Sequence, residues 1–417
     1  MIYPGLGDLS RSAAVKMKRA PLSKENYKVD ESIMIHLTVT GRCYANCKGC
    51  INSSITAASA EPRNTLLAFQ ETEPKRDAAI ISGLASRYGQ QTITVCFYGG
   101  EPFLAADKME RVWRILKELE EQNEFRFMVY TNGEFLIEAL ELYPEFMKCI
   151  WLYSISIDGD EEQHNRVRQG THLSKIKINL ERLSESYKGH ILHWSTLREE
   201  QSLFNCFEEF LRLYEAGLVN HFFWHWTEER NPFENFSSYL RNYGQELERI
   251  MEIYVQEISK GKLLPIAHIN ELVLYLLTGR ARGHTACGVE LAKNYDIVSG
   301  KVYSCADLPS CLSIGELDGE GRLNLRECDL NSLVSYKERL GCCKCGVHAY
   351  CGGRCPVQVV AGSRERTYQY CQLMRLHVGI VQKRIPEILR GLEENRITLQ
   401  EVYDRSAFLA KYTDVVP

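Results

Sequence analysis

The stretch Ile33-Met-Ile-His-Leu-Thr-Val-Thr-Gly-Arg-Cys43-Tyr-Ala-Asn-Cys47-Lys-Gly-Cys50 decides how the chain is read. Its first eight residues form an apolar run of buried-strand length, and three cysteines follow at once as C-x3-C-x2-C. A strand end would therefore present three thiolates together. A [4Fe–4S] cube ordinarily takes four cysteines, so three leave one iron open to a further ligand.

A second cysteine set lies downstream. Cys342-x2-Cys345-x5-Cys351-x3-Cys355 is followed by Cys371, and upstream of it Cys287, Gly300 and Cys305 keep C-x12-G-x4-C spacing. Sixteen cysteines in 417 residues would suggest disulfides in a secreted chain, whereas clustered C-x2-C spacing in an enzyme-sized chain favours metal ligation. The N-terminus has no apolar signal-like run, and no run reaches membrane-span length, so a cytoplasmic location without membrane contact is expected. A net charge of −4 and no lysine-arginine block exclude an electrostatic case for nucleic acid. The chain is 25% charged and 45% apolar, an ordinary globular balance with length for two cores.

Short apolar runs alternate with amphipathic stretches from Ile33 onward. The pattern predicts strands near 33–40, 93–98, 125–131, 150–157, 191–197 and 221–227. Helices are expected near 75–89, 107–122, 134–146, 174–188, 201–216 and 237–260. Six β/α repeats imply an α/β fold, a partial (β/α)6 barrel of TIM type with its chemistry at the strand ends. The expected organisation is a lead-in over 1–30, the barrel over 31–262, a bridging helix over 263–286, a small cysteine-rich domain over 287–372 and a helical tail over 373–417. Residues 51–74 read as a long loop. Cys96, Cys149 and Cys206 read as buried small apolar residues, and Arg364-Glu-Arg366 as a solvated face.

Three strand-end motifs complete the pattern. Tyr98-Gly99-Gly100-Glu101-Pro102 closes the second strand, and its glycines allow close backbone approach while Glu101 suits an ammonium group. Thr131-Asn132-Gly133 closes the third. Ser154-Ile-Ser156-Ile-Asp158-Gly159 closes the fourth, ahead of His164-Asn165 and Arg168.

Together these motifs resemble the radical S-adenosylmethionine (SAM) enzymes, and the downstream cysteines are similar to the SPASM domain of members that modify peptides. The resemblance covers about residues 30–375. It implies that Cys43, Cys47 and Cys50 hold a SAM-binding [4Fe–4S] cluster. It also implies that Gly99, Gly100, Glu101 and Pro102 form the segment at the methionine amine, with Ser156 at the ribose and Arg168 at the carboxylate. Two auxiliary [4Fe–4S] clusters would make three in all. One takes Cys342, Cys345, Cys351 and Cys371, and the other Cys287, Cys305 and Cys355 with Cys311 or Cys328 as candidate fourth ligand. A ribosomally made peptide is the implied substrate, a thioether or carbon–carbon crosslink the implied product, and flavodoxin or ferredoxin the implied electron donor.

Two positions depart from the family pattern. Gly49 stands where an aromatic residue usually lies by the adenine, leaving Tyr98 or an aromatic of the sixth strand as platform, and Asn165 stands where Asp is common. His193, Trp194 and His225 read as core or cavity wall, and His284 and His348 as neighbours of the clusters. Competing functions are a sulfatase maturase forming formylglycine and a radical SAM enzyme acting on a sugar or small metabolite. A noncatalytic iron–sulfur electron carrier or zinc-binding interaction protein is the alternative from another class, one that has no use for Gly99-Gly100-Glu101.

Overall fold

Along β1 (Ile33–Thr40) the side chains alternate: Ile33, Ile35, Leu37 and Val39 join the core beneath the helices, while Met34 and His36 face inward. The same period repeats in β2 (Ile93–Gly99), β3 (Phe125–Thr131), β4 (Ile150–Ser156), β5 (His190–Leu197) and β6 (His221–Trp226). All six pair in parallel in chain order, with helices between them, as a partial barrel requires. The computed structural model describes residues 27–50, 70–119, 123–291, 293–308, 310–413 and 417. Most of the expected lead-in and of the loop after Cys50 therefore lies outside the described residues.

The lumen is plugged at its lower end. Met34, Cys96, Met128, Leu152, Leu192 and Phe223, one from each strand, form an apolar layer with Leu409 and Tyr412 of the tail. Polar and aromatic residues lie above this layer, so the open end of the barrel is the end where the strands finish.

Two helices depart most from the sequence reading. The single span expected near 134–146 is broken into α1 (Leu136–Leu142) and α2 (Pro144–Cys149). Pro144 lacks an N–H and pushes Tyr143 out of helical conformation, to φ −134° and ψ 53°. Cys149, expected to be buried, is exposed at the end of α2. The long helix α3 (Arg364–Glu394) begins at Arg364 rather than near 373, started by Ser363, whose hydroxyl accepts from Arg366 N at 3.0 Å. Arg366 is not on a solvated face: it is buried, donates to Thr227 O and stacks 3.5 Å from the Phe233 ring centre.

The sheet does not stop where the cysteine-rich region begins. β7 (Asn294–Val298) pairs in parallel with β1, and β8 (Lys301–Tyr303), β9 (Gly315–Leu317) and β10 (Leu323–Leu325) add antiparallel strands beyond it. The result is one ten-stranded sheet. Among the described residues no helix is long and apolar enough to cross a membrane.

Candidate active site

The loop after β1 is clamped on both sides. Gly100 N donates to Thr40 O and Glu101 N to Arg42 O, each at 2.8 Å. A Cβ on Gly100 would lie 2.2 Å from Arg42 O, and one on Gly99, at φ +134°, would lie 2.3 Å from Thr40 O, so glycine alone permits the approach. On the other side Gly41 N donates to Gln70 O, and Glu71 binds both Arg42 (2.8 Å) and Lys108 (2.5 Å). A short antiparallel ladder, Asn46–Cys47 with Arg168–Gln169, ties Cys47 to the segment after β4.

These elements surround one cavity of about 350 Å³ above the apolar plug, within the range that small-molecule sites occupy. Cys43, Cys47 and Cys50 line it, as do Gly99, Gly100, Glu101, Ser156 and Arg168. Pro102, read with that segment, is not among the lining residues and instead begins a 3-10 turn capped by Glu101.

Glu101 is fully buried and accepts from Thr131 Oγ1 (2.7 Å), Asn132 N (2.8 Å) and Phe103 N (3.1 Å). Burial nevertheless outweighs these donors and holds its carboxyl up at about 7. A cation arriving at Glu101 would supply the charge this buried carboxylate lacks.

Arg168 is held from behind by Asp158, Nε to Oδ2 at 2.7 Å, and reaches Cys47 Sγ at 4.0 Å. Asp158 also binds Arg198 (2.8 Å) and Thr196 N (2.8 Å). Burial alone would raise the Asp158 carboxyl, but the two guanidiniums hold it well below the carboxylate range. Two cations against one anion leave net positive charge at the cavity wall, which suits a ligand carboxylate.

The downstream cysteines fall into two neighbourhoods. Burial, followed by the charges of Cys345 and Cys351, pushes the Cys342 thiol up to about 11. Burial and then Cys351 push the Cys371 thiol up to about 12, with Arg354 opposing and Cys342 adding to the rise. Cys355 is raised by burial, Glu228, Cys305 and Cys287. Thiols that raise one another are costly to ionise unless iron neutralises them, which is the donor chemistry an iron–sulfur site needs. Cys287, Cys305 and Cys355 also line the cavity that Cys43, Cys47 and Cys50 enter from the other side. Cys311 and Cys328 are exposed and do not line it. Among the described residues no three His, Cys, Asp or Glu side chains converge on a single ion. The thiolates of a cube bind separate irons and need no common point.

The model of the radical SAM superfamily matches residues 37–197, from β1 to the end of β5. Residues 37–197 form a radical SAM domain. No curated protein matches it. Among solved structures, hexahistidine-tagged anSMEcpe with bound AdoMet is similar at 15% identity and TM-score 0.62, covering 88% of this chain and 99% of that one. Native anSMEcpe with bound AdoMet and Cp18Cys peptide gives 16% identity and TM-score 0.63, with 87% and 99% covered. Streptococcus suis SuiB bound to S-adenosylmethionine gives 13% identity and TM-score 0.51, with 81% and 74% covered. At such identities the likeness shows the fold alone, and the spacing of the C-terminal cysteines is what fits the SPASM pattern expected from the sequence.

The radical SAM domain implies SAM and a [4Fe–4S] cluster, and the residues present fit both. They provide a tripod of thiols, a buried acceptor at Glu101 and paired guanidiniums at Arg168 and Arg198, all open to one cavity. The structure also explains Gly49: at φ +62° its Cβ would meet Thr227 Cγ2 and Glu229 Oε1 at 2.7 Å, so the end of β6 occupies the space of a side chain there. Tyr98 lines the cavity, and of the β6 aromatics only His225 does. Trp194 reaches it, whereas His193 points the other way and bonds Ile157 O and Ser195 Oγ. Asn165 accepts from Leu173 N and is not among the cavity residues, so its lack of a carboxylate removes no base from the site. Sequence reasoning missed Arg198, His36 and Asp296. Inward periodicity along β1 is the one signal that places His36.

Proposed function

We propose that this radical SAM protein modifies a ribosomally made peptide, using SAM, a SAM-binding [4Fe–4S] cluster on Cys43, Cys47 and Cys50, and two auxiliary [4Fe–4S] clusters. The auxiliary ligands are Cys342, Cys345, Cys351 and Cys371 for one cluster and Cys287, Cys305 and Cys355 for the other. The observation carrying this reading is that Cys43, Cys47 and Cys50 open on the same cavity as Cys287, Cys305 and Cys355. When bound, SAM and its cluster supply a 5′-deoxyadenosyl radical that takes a hydrogen atom from the substrate.

The chain's own residues orient and shield. Glu101 receives the ammonium of the methionine moiety, and Arg168 and Arg198, aligned by Asp158, receive its carboxylate. Ser156 hydrogen-bonds the ribose from the end of β4. The apolar layer below and the clamped loop above exclude water from the reacting carbon. A thioether or carbon–carbon crosslink is the product, and a flavodoxin or ferredoxin supplies electrons.

A second reading is oxidation of a single cysteine or serine in a peptide. The Cp18Cys-bound anSMEcpe structure supports it, since nearly all of that chain is covered, and Asn165 lies away from the cavity.

Anaerobic reconstitution tests the proposal: iron and sulfide are counted, and 5′-deoxyadenosine is followed with SAM and dithionite. Peptides encoded beside the gene are then screened by mass. About twelve irons, deoxyadenosine and a peptide lighter by two hydrogens are expected. Crosslinking and single-residue oxidation are separated by fragment masses. Zinc in place of iron, or intact SAM on fully loaded and reduced protein, would overturn both readings.

A further inference from the structure

Below the cluster loop the lumen carries a further layer of side chains. His36 of β1, Tyr98 of β2, Tyr130 of β3, Trp194 of β5 and His225 of β6 line it, with the apolar plug beneath. The cysteine-rich region adds one more residue. Parallel pairing of β1 with β7 sets His36 opposite Asp296, and register partners on adjacent strands project from the same face. His36 Nδ1 stands 3.4 Å from Asp296 Oδ1, with the residues 4% and 8% exposed. Asp296 is fixed in turn, its Oδ2 accepting from Ala306 N at 3.0 Å. Tyr130 lies parallel to the imidazole and Tyr98 meets it edge-on, both with ring centres 6.3 Å away.

We infer that His36, standing 3.4 Å from Asp296, accepts the proton of a substrate thiol or hydroxyl in this cavity. The inference rests on the oxidative peptide reading above. A substrate carbon that has lost a hydrogen atom closes a new bond only when one more proton and one more electron leave. For a thiol, the S–H bond breaks and a C–S bond forms. The proton passes to His36 Nε2, and the electron goes to an oxidised acceptor of the iron–sulfur class. Asp296 then balances the imidazolium.

The other cavity groups are less suited. Glu101 is engaged by three donors, and Glu228 is paired with Arg354 at 2.9 Å. His225 is held down to about 3 by burial and by Arg198, Arg354 and Arg168, against the pull of Asp158. Asp307 lines the cavity too and is the rival acceptor that the experiment below separates from His36. Among the described residues, Asp296 from β7, Tyr98 from β2 and Tyr130 from β3 are titratable groups that face the His36 ring.

Exchange of imidazole C2 hydrogens, resolved residue by residue by mass spectrometry across pH, reads the pair without a substrate. The His36 midpoint is expected above that of His225, and lower in Asp296→Asn than in wild type. A His36 midpoint at or below that of His225, or one unmoved by Asp296→Asn, overturns the pair.

The second readout uses a peptide identified by the screen above. Product formed per deoxyadenosine released should fall on the order of 10²-fold in His36→Gln. In Asp296→Asn the acidic limb of the kcat profile should move to lower pH. If Asp307→Asn abolishes product while His36→Gln leaves the ratio intact, the role belongs to Asp307 and the inference fails. Wild-type protein that never releases deoxyadenosine would overturn the peptide-radical reading alone, and the exchange data would still decide on His36 and Asp296.

Discussion

Glu101 shows how one buried side chain couples cofactor binding to pH. Its carboxyl is held up to about 7 by burial, so between the ordinary value near 4.3 and that point the folded chain keeps a proton that the unfolded chain has released. Its contribution to stability is therefore complete below roughly pH 4.3 and is lost as pH rises through about 7. Binding of an ammonium runs the other way, because the ligand needs the ionised form. Calorimetry of SAM on reconstituted protein should show affinity rising about five-fold from pH 6 to pH 7 in wild type, and no such rise in Glu101→Gln. A flat wild-type profile would remove the ammonium role. Cys43, Cys47, Cys50 and Glu101 were legible because local spacing announces them. Arg198, His36 and Asp296 belong to no motif, and partners far away in the chain give them their places.

At the level of elements, the contact between the end of β2 and the loop after β1 is backbone against backbone. Gly100→Ala would drive a methyl group into Arg42 O, which cannot yield without moving Cys43. We expect this variant to remain folded but to lose about four irons on reconstitution, while the downstream cysteines keep theirs. Retention of the full iron count, with an unchanged charge-transfer spectrum, would show that the loop has room to shift. The six barrel strands lie within a residue of their sequence-derived limits, because alternation along a half-buried strand is a strong local signal. The break at Pro144 was a missed local cue. The start of α3 was hidden because Arg364-Glu-Arg366 reads as solvent-facing, and only the aromatic surroundings of Arg366 reveal it as packed.

Across the whole molecule, the ten-stranded sheet joins the barrel to the cysteine-rich region. Removing everything after residue 286 would strip β7 from the edge of β1 and take Leu409 and Tyr412 from the floor of the lumen. Such a truncation is expected to aggregate rather than yield a free barrel. Full-length protein should unfold in a single thermal transition by circular dichroism, and two well-separated transitions would contradict the shared sheet. No sequence pattern pairs β1 with β7, because parallel pairing between distant strands leaves no periodic trace in either one.

The same pairing sets a clock on biosynthesis. β1 leaves the ribosome early, and the strand that covers its outer edge follows about 250 residues later. At roughly 5–20 residues per second that edge waits on the order of 13–50 s without its partner. Nascent chains should therefore be most vulnerable to strand-to-strand association during that interval, and added chaperone should raise the yield of folded enzyme more than any change to the cysteines.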